Sequence, residues 1–198
     1  MPAPVVVLVE GRSDVAAVQA LLDRAATPVP PDGYELELVA MGGATNLGHA
    51  LDALDIRTVE RVLGLCDAGE APLTARMLQR RGVPVTGPDD LPRFGFQVCV
   101  ADLEEELIRT VGVENVLALL DDLGLAGRFE RFRTQPAWQG RATAAQLRRF
   151  AGSASGRKEL LAGAMAAAAP APPPPLAALL DDIARAHHGS GQVVRAFG

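Results

Sequence analysis

The chain reads as an α/β protein, a Rossmann-like parallel sheet of about four to five strands flanked by helices, with a C-terminal helical extension. Three observations predict this. Short β-branched runs, too short for helices, recur at 5–9, 62–66 and 96–101. Segments with helical spacing of apolar residues separate them, and such alternation implies a parallel sheet covered on both faces. Each run also ends in an acid, namely Glu10, Asp67 and Asp102. In a parallel sheet all three would lie along the carboxyl edge, where ligands bind.

The elements follow in order. Residues 4–9 form the first strand. Ser13 is placed to cap a helix over 13–25 whose inner face carries Val15, Val18, Leu21 and Leu22. Pro28, Pro30, Pro31 and Gly33 make a loop. A second strand covers 35–40, and Gly42-Gly43 turns the chain into a helix over 45–54. The third strand spans 60–66. A helix over 72–81 stops at Gly82. A short fourth strand is expected at 83–85 and a strong one at 96–101. Helices follow at 103–111, 113–123, 143–150 and 156–168. Residues 166–175, AAAAPAPPPP, read as a stiff, partly polyproline linker before an amphipathic helix over 176–187. The resulting division is a core at 1–125, a basic helical extension at 126–165, the linker at 166–175, and a last helix and tail at 176–198.

Composition narrows the function. The 198 residues are 48% hydrophobic and only 4% aromatic, so the core is built from Ala, Val and Leu. Cys66 and Cys99 lie inside strand runs without zinc-ligand spacing and read as buried apolar residues. No stretch has the length and apolarity of a membrane span, and no signal peptide is evident, so a cytoplasmic protein is expected. The net charge of −5 is unevenly distributed. Residues 1–127 carry a balance of −11, whereas 128–158 carry +7. The basic block includes Phe129, Phe132, Trp138 and Phe150, a mixture that suits a phosphate backbone and stacked bases. It equally suits an arginine-rich solvated surface over a few core aromatics. Arg141, Arg148, Arg149 and Arg157 are its candidate backbone contacts.

The acids carry the chemistry. Gly11 lets the chain turn sharply after Glu10 and leaves that carboxylate at the strand tip. Asp14, in the next helical turn, also simply complements the helix dipole. Asp67 leaves its strand into a glycine turn. Asp102 and Glu104 are spaced to reach one side, but Asp102 with Glu105 also fits a helix-capping box. Glu105 and Glu106 read as a solvated helix face. Three acids at equivalent strand ends repel unless a cation lies between them, and magnesium favours oxygen ligands drawn from separate loops.

Eighteen of the nineteen basic residues are Arg, and Lys158 is the exception. A compact, movable ammonium can stabilise developing negative charge. The surrounding Gly152–Lys158 stretch fails as a nucleotide-phosphate loop, because no Ser or Thr follows the lysine and no strand precedes it. Gly42-Gly43 offers amides for a phosphate or is only a tight turn. His49, His187 and His188 show no metal or triad spacing.

Three segments together resemble the TOPRIM domain of topoisomerases, primases and certain nucleases. They are Val7-Leu8-Val9-Glu10-Gly11-Arg12-Ser13-Asp14, Gly64-Leu65-Cys66-Asp67, and Val100-Ala101-Asp102-Leu103-Glu104-Glu105-Glu106-Leu107. The Glu-Gly-x-Ser-Asp opening and the later Asp-Leu-Glu resemble the nuclease half of the OLD (overcoming lysogenization defect) family in particular, over about 4–165. The resemblance implies that Glu10, Asp14, Asp67, Asp102 and Glu104 hold two divalent ions, Mg2+ or Mn2+, with Glu10 and Lys158 serving catalysis on DNA. Position 69 is Gly where the TOPRIM pattern usually has a second Asp, a gap that Glu70 or a water would have to fill. OLD proteins join this domain to an ATPase, which here would come from another chain. Two other readings stay open: a non-catalytic nucleic-acid or partner-binding module with a degenerate metal site, and a nucleotidyl transferase or small-molecule phosphohydrolase. The oligomeric state is not legible.

Overall fold

In the computed structural model the described residues are 4–25, 35–54, 59, 61–154 and 156–186. Four parallel strands form one sheet in the order β2-β1-β3-β4: β1 Val5–Val9, β2 Leu36–Ala40, β3 Arg61–Asp67 and β4 Phe96–Cys99. Strand order reverses between β1 and β3, which opens a crevice at their carboxyl ends. Those ends carry Glu10 and Asp67.

Alternate residues of the central strand serve two cores. Val5, Val7 and Val9 face one core with α1 Arg12–Asp23, α4 Leu103–Val111, α5 Val113–Asp122, α6 Ala126–Arg133, α7 Thr143–Ala151, α8 Arg157–Ala168 and α9 Pro174–Ala186. Val6 and Leu8 face the other, covered by α2 Leu47–Ala53 and α3 Ala71–Gln79. Its strand partners leave Gly64, at the middle of β3, no room for a side chain. An added methyl carbon would stand 2.4 Å from the Phe96 ring and 3.3 Å from the Leu8 carbonyl oxygen. Gly64→Ala should therefore lower stability by about 1–3 kcal/mol through overpacking, read as a shifted denaturant midpoint.

Several sequence expectations need correction. Residues 83–85 form no strand. The Val85 N–H bonds the Val83 carbonyl at 2.8 Å, closing a local turn while both side chains enter the α3-side core. The last strand stops at Cys99, because the Val100 N–H goes instead to Glu106 (2.8 Å) and Val100 itself is exposed. Gly11, not Ser13, is the N-cap of α1, and Ser13 is buried in its first turn. A helix at 126–133 and a 3-10 segment, Pro88–Phe94, were not expected. Residues 166–168 are the end of α8 and Pro174 opens α9, leaving five residues between them. Ala166, Ala169, Pro173 and Pro175 are buried there. The helix α9 docks, burying Leu176, Leu179 and Ile183, while Gln97 of β4 donates to Asp182 at 2.7 Å. The proline loop at 28–33, Glu60, His187 and His188 lie outside the described residues.

Two contacts decide where Lys158 comes to rest. Gly163 of α8 lies against Ala16 of α1. Arg24, just past α1, donates to the carbonyls of Ala166 (2.8 Å) and Ala169 (2.6 Å), a cation at the carboxyl end of α8. The two helices thus run side by side in the same direction, and Lys158 enters beside Asp14.

Candidate active site

Glu10 leaves β1 at the crevice, and its backbone is fixed by the β2 exit. The Met41 N–H bonds the Val9 carbonyl (2.9 Å) and the Gly43 N–H bonds the Glu10 carbonyl (3.0 Å). That turn needs a left-handed Gly43 (φ 126°). The Gly43 amide is therefore already engaged and does not serve as a phosphate donor. Asp14 is buried, and its Oδ2 accepts the Gly11 N–H at 2.8 Å. Burial raises its proton affinity, and the Gly11 bond and Lys158 partly oppose that rise.

Asp67 registers the whole cluster. Its carboxyl is pushed up to about 7, first by burial and then by the charges of Glu10, Asp102, Asp14 and Glu104. Acids at the end of β1, in α1 and at the start of α4 thus act on the β3 carboxyl across the sheet edge. Glu70, three residues on, is also raised, by burial and by Glu10. Its Oε2 is buried with no hydrogen-bond partner among the described residues.

The β4–α4 turn presents the remaining acids. Asp102 is the N-cap of α4: Oδ1 accepts the Glu105 N–H at 2.8 Å. Its Oδ2 accepts the Arg148 Nε at 2.6 Å, and Arg148 Nη2 stands equally close. The capping box is one-sided, since Glu105 turns to Arg109 instead. Glu104 is buried, with Lys158 Nζ 3.4 Å from Oε2, while Oε1 has no partner among the described residues. Burial raises the Glu104 carboxyl and the lysine opposes it. Burial alone would lower the Lys158 ammonium, but Glu104, Asp14 and Glu10 outweigh it and the net shift is upward. Lys158 therefore stays protonated.

Glu106 overturns the expectation of a solvated face. It is fully buried, accepts the Val100 N–H, and pairs with Arg109. Its position three residues after Leu103 and one before Leu107 was the available signal, because that spacing places it on the inner side of α4. It holds the turn that presents Asp102 and Glu104.

Two clefts flank the Glu104–Lys158 pair. One, about 410 Å³, is lined by Glu10, Asp14, Arg12, Ser13 and Lys158 among others. The second, about 430 Å³, is lined by Asp102, Glu104, Trp138, Arg148 and Arg149 among others. Of the four candidate backbone arginines, Arg141 and Arg149 are exposed, and Arg148 is paired with Asp102. Arg157 is committed to the α7–α8 joint: it donates to the Phe150 carbonyl (3.0 Å) and Ser153 Oγ (2.8 Å), with its guanidinium 3.9 Å over the Phe150 ring. The three phenylalanines of the basic block are core residues. Cys66 and Cys99 are buried thiols, that of Cys66 pushed up to about 11 chiefly by burial.

This sheet order and helical cover have solved counterparts. The C-terminal region of the Burkholderia pseudomallei OLD protein superposes with a TM-score of 0.62 at 17% identity, over 93% of this chain and 98% of that one. The C-terminal region of the Xanthomonas campestris pv. campestris OLD protein does so at 0.62 and 20% identity, over 94% and 96%. The chain has the TOPRIM fold of the OLD C-terminal region. At such identities the likeness is one of fold. No protein-family model matches the chain, and no curated relative does. The OLD fold extends through α9, beyond the stretch that carried the sequence motifs.

Among the described residues, no three His, Cys, Asp or Glu side chains form a ready metal cage. The acids share a field, while Arg148 and Lys158 neutralise Asp102 and Glu104. The donor set still fits a hard divalent cation. It consists of carboxylate oxygens, and the buried Oε1 of Glu104 and Oε2 of Glu70 have no donor among the described residues to satisfy them. Among the described residues, no helix is long and apolar enough to cross a membrane.

Proposed function

We propose that the chain is a divalent-metal-dependent phosphodiesterase that nicks or degrades DNA. The observation that carries this reading is a meeting of acids at the strand-order reversal of an OLD-like fold: Glu10 and Asp67 stand at the ends of adjacent strands, and Lys158, 3.4 Å from Glu104, lines one cleft with Glu10 and Asp14. Burial and the charges of Glu10, Asp102, Asp14 and Glu104 raise the Asp67 carboxyl in keeping with that placement. Glu10, Asp14, Asp67 and Glu104 would hold Mg2+ or Mn2+, two ions in the full set, and Glu70 would supply the oxygen missing at Gly69. Asp102 would join once Arg148 leaves it. The metal, when bound, supplies Lewis acidity and a more acidic water.

The chain's own groups do the rest. Lys158 keeps its proton and lies between the two clefts, placed to stabilise charge growing on a phosphodiester. Arg141 and Arg149 would track the backbone, and Arg148 would join them when released from Asp102. The Arg157 contribution would be to hold α7 on α8. A separate ATPase chain is a natural partner, by analogy with OLD proteins.

Conversion of supercoiled plasmid to nicked or linear forms, with Mg2+ or Mn2+ against EDTA, tests the proposal. A second reading, a binding module without catalysis, is favoured by Gly69 and by the absence of a formed cage among the described residues. DNA retarded in a gel with EDTA present, and intact with every divalent metal, would select it.

A further inference from the structure

The cleft beside Glu104 has a composition that the metal chemistry does not require. Trp138, the only tryptophan, lines it together with Arg148 and Arg149, and Ala145 and Gly152 leave its walls low. One face of the indole stacks on Phe132, with centroids 5.3 Å apart and planes at 25°. The indole N–H donates to nothing among the described residues, and the side chain is only partly buried.

The residue is nonetheless held rigidly. Its N–H bonds the Gln135 carbonyl (2.8 Å), and its own carbonyl accepts the Arg141 N–H (3.2 Å) and Nε2 of the buried Gln146 (2.7 Å). A fixed, partly open aromatic loses little freedom on binding.

We propose that this cleft is a nucleobase subsite, seating one unpaired base of single-stranded DNA against Trp138. The inference rests on the proposed DNA substrate and names the form of it that binds. A cleft of about 430 Å³ is ample for a base. Asp102 and Glu104 on the same wall already occupy Arg148 and Lys158, which leaves those cations less available to a bare phosphate there, whereas a neutral ring is tolerated and its ring or exocyclic N–H groups can donate to the carboxylates. Arg149 is exposed at the rim for the adjoining phosphate. A base within a duplex is stacked on its neighbours and cannot reach an aromatic platform without being extruded. Because the cleft shares Glu104 with the candidate metal site, a base on Trp138 places its own nucleotide at the point of chemistry.

The lone tryptophan makes the test direct. Intrinsic emission is followed while unlabelled oligothymidylate, or a blunt hairpin duplex, is added in EDTA. Anisotropy of a fluorescein-labelled oligothymidylate reports binding independently. Quenching is expected with the single strand and little with the duplex. Trp138→Ala should weaken single-strand binding roughly 10-fold, Trp138→Phe should restore most of it, and duplex binding should change less than about 2-fold. Saturation by anisotropy with unchanged emission, no binding of the single strand, or equal losses for single strand and duplex would overturn the subsite. Plasmid nicking is scored in parallel, so the two ideas fail separately. Nicking with no quenching leaves the phosphodiesterase and removes the subsite; quenching with no nicking does the reverse.

Discussion

Glu10→Gln and Lys158→Ala should each reduce plasmid nicking by about 100-fold or more while the chain stays folded. The magnitude follows from the cost of losing one preorganised charged group at a reacting centre. Glu10 lies at a strand tip whose backbone is fixed by bonds from Met41 and Gly43, so Gln keeps the shape and removes only charge. Lys158 is different, because its removal leaves Glu104 buried and without its cation. Some stability should be lost with it, less than for a fully buried pair because the lysine is 45% exposed. The double variant Glu104→Gln/Lys158→Met restores neutrality and should recover that stability but not activity. Circular dichroism and thermal melting separate the two effects. Wild-type nicking by both single variants would reject the site.

Metal-free protein should be more stable near pH 5 than near pH 8. The folded Asp67 carboxyl holds its proton to about pH 7, against an ordinary value of 3.8. Between those values the native state binds more protons than the unfolded chain, so stability falls as pH rises through the window. Asp14 and Glu104, both raised chiefly by burial, act in the same direction. After allowance for solvent screening the Asp67 contribution is about 2 kcal/mol. Asp67→Asn should flatten the dependence and stabilise the chain at pH 8. Mg2+ should do the same by replacing the proton with a cation. Urea midpoints measured in EDTA across this range test the claim, and stability that rises from pH 5 to pH 8 would contradict it.

Much of this arrangement was legible because it rests on short-range pattern. Apolar runs ending in acids located β1, β3 and β4, and parallel pairing then placed Glu10 and Asp67 on one edge. What escaped the sequence depended on long-range competition. Residues 83–85 have the composition of a strand, but a local hydrogen bond and the α3-side core claim them. The helix α6, AGRFERFR, carries only two buried positions among four charges, and Phe129 with Phe132 at helical spacing was its one signal. The alanine-proline stretch looked like a spacer because its burial depends on the sheet face that α9 covers.

Roles within the site divide in the same way. Lys158 stood out by composition alone, and the structure puts its ammonium 3.4 Å from Glu104. Asp102 had two readings, and its cap is formed, with Arg148 on the other oxygen. That pairing joins residues 46 apart in sequence, which no local motif encodes. Interleaved aromatics suggested base stacking, yet Phe129, Phe132 and Phe150 pack one another in the core and Trp138 alone among them lines the cleft.

Anomalous diffraction from crystals grown with Mn2+ shows whether the acids at the sheet edge gather around a cation. A peak bounded by Glu10, Asp67 and Glu104, with Lys158 or Arg148 displaced from its carboxylate partner, is the predicted result. A map without manganese at that edge, or with manganese only on unrelated surface acids, would contradict it.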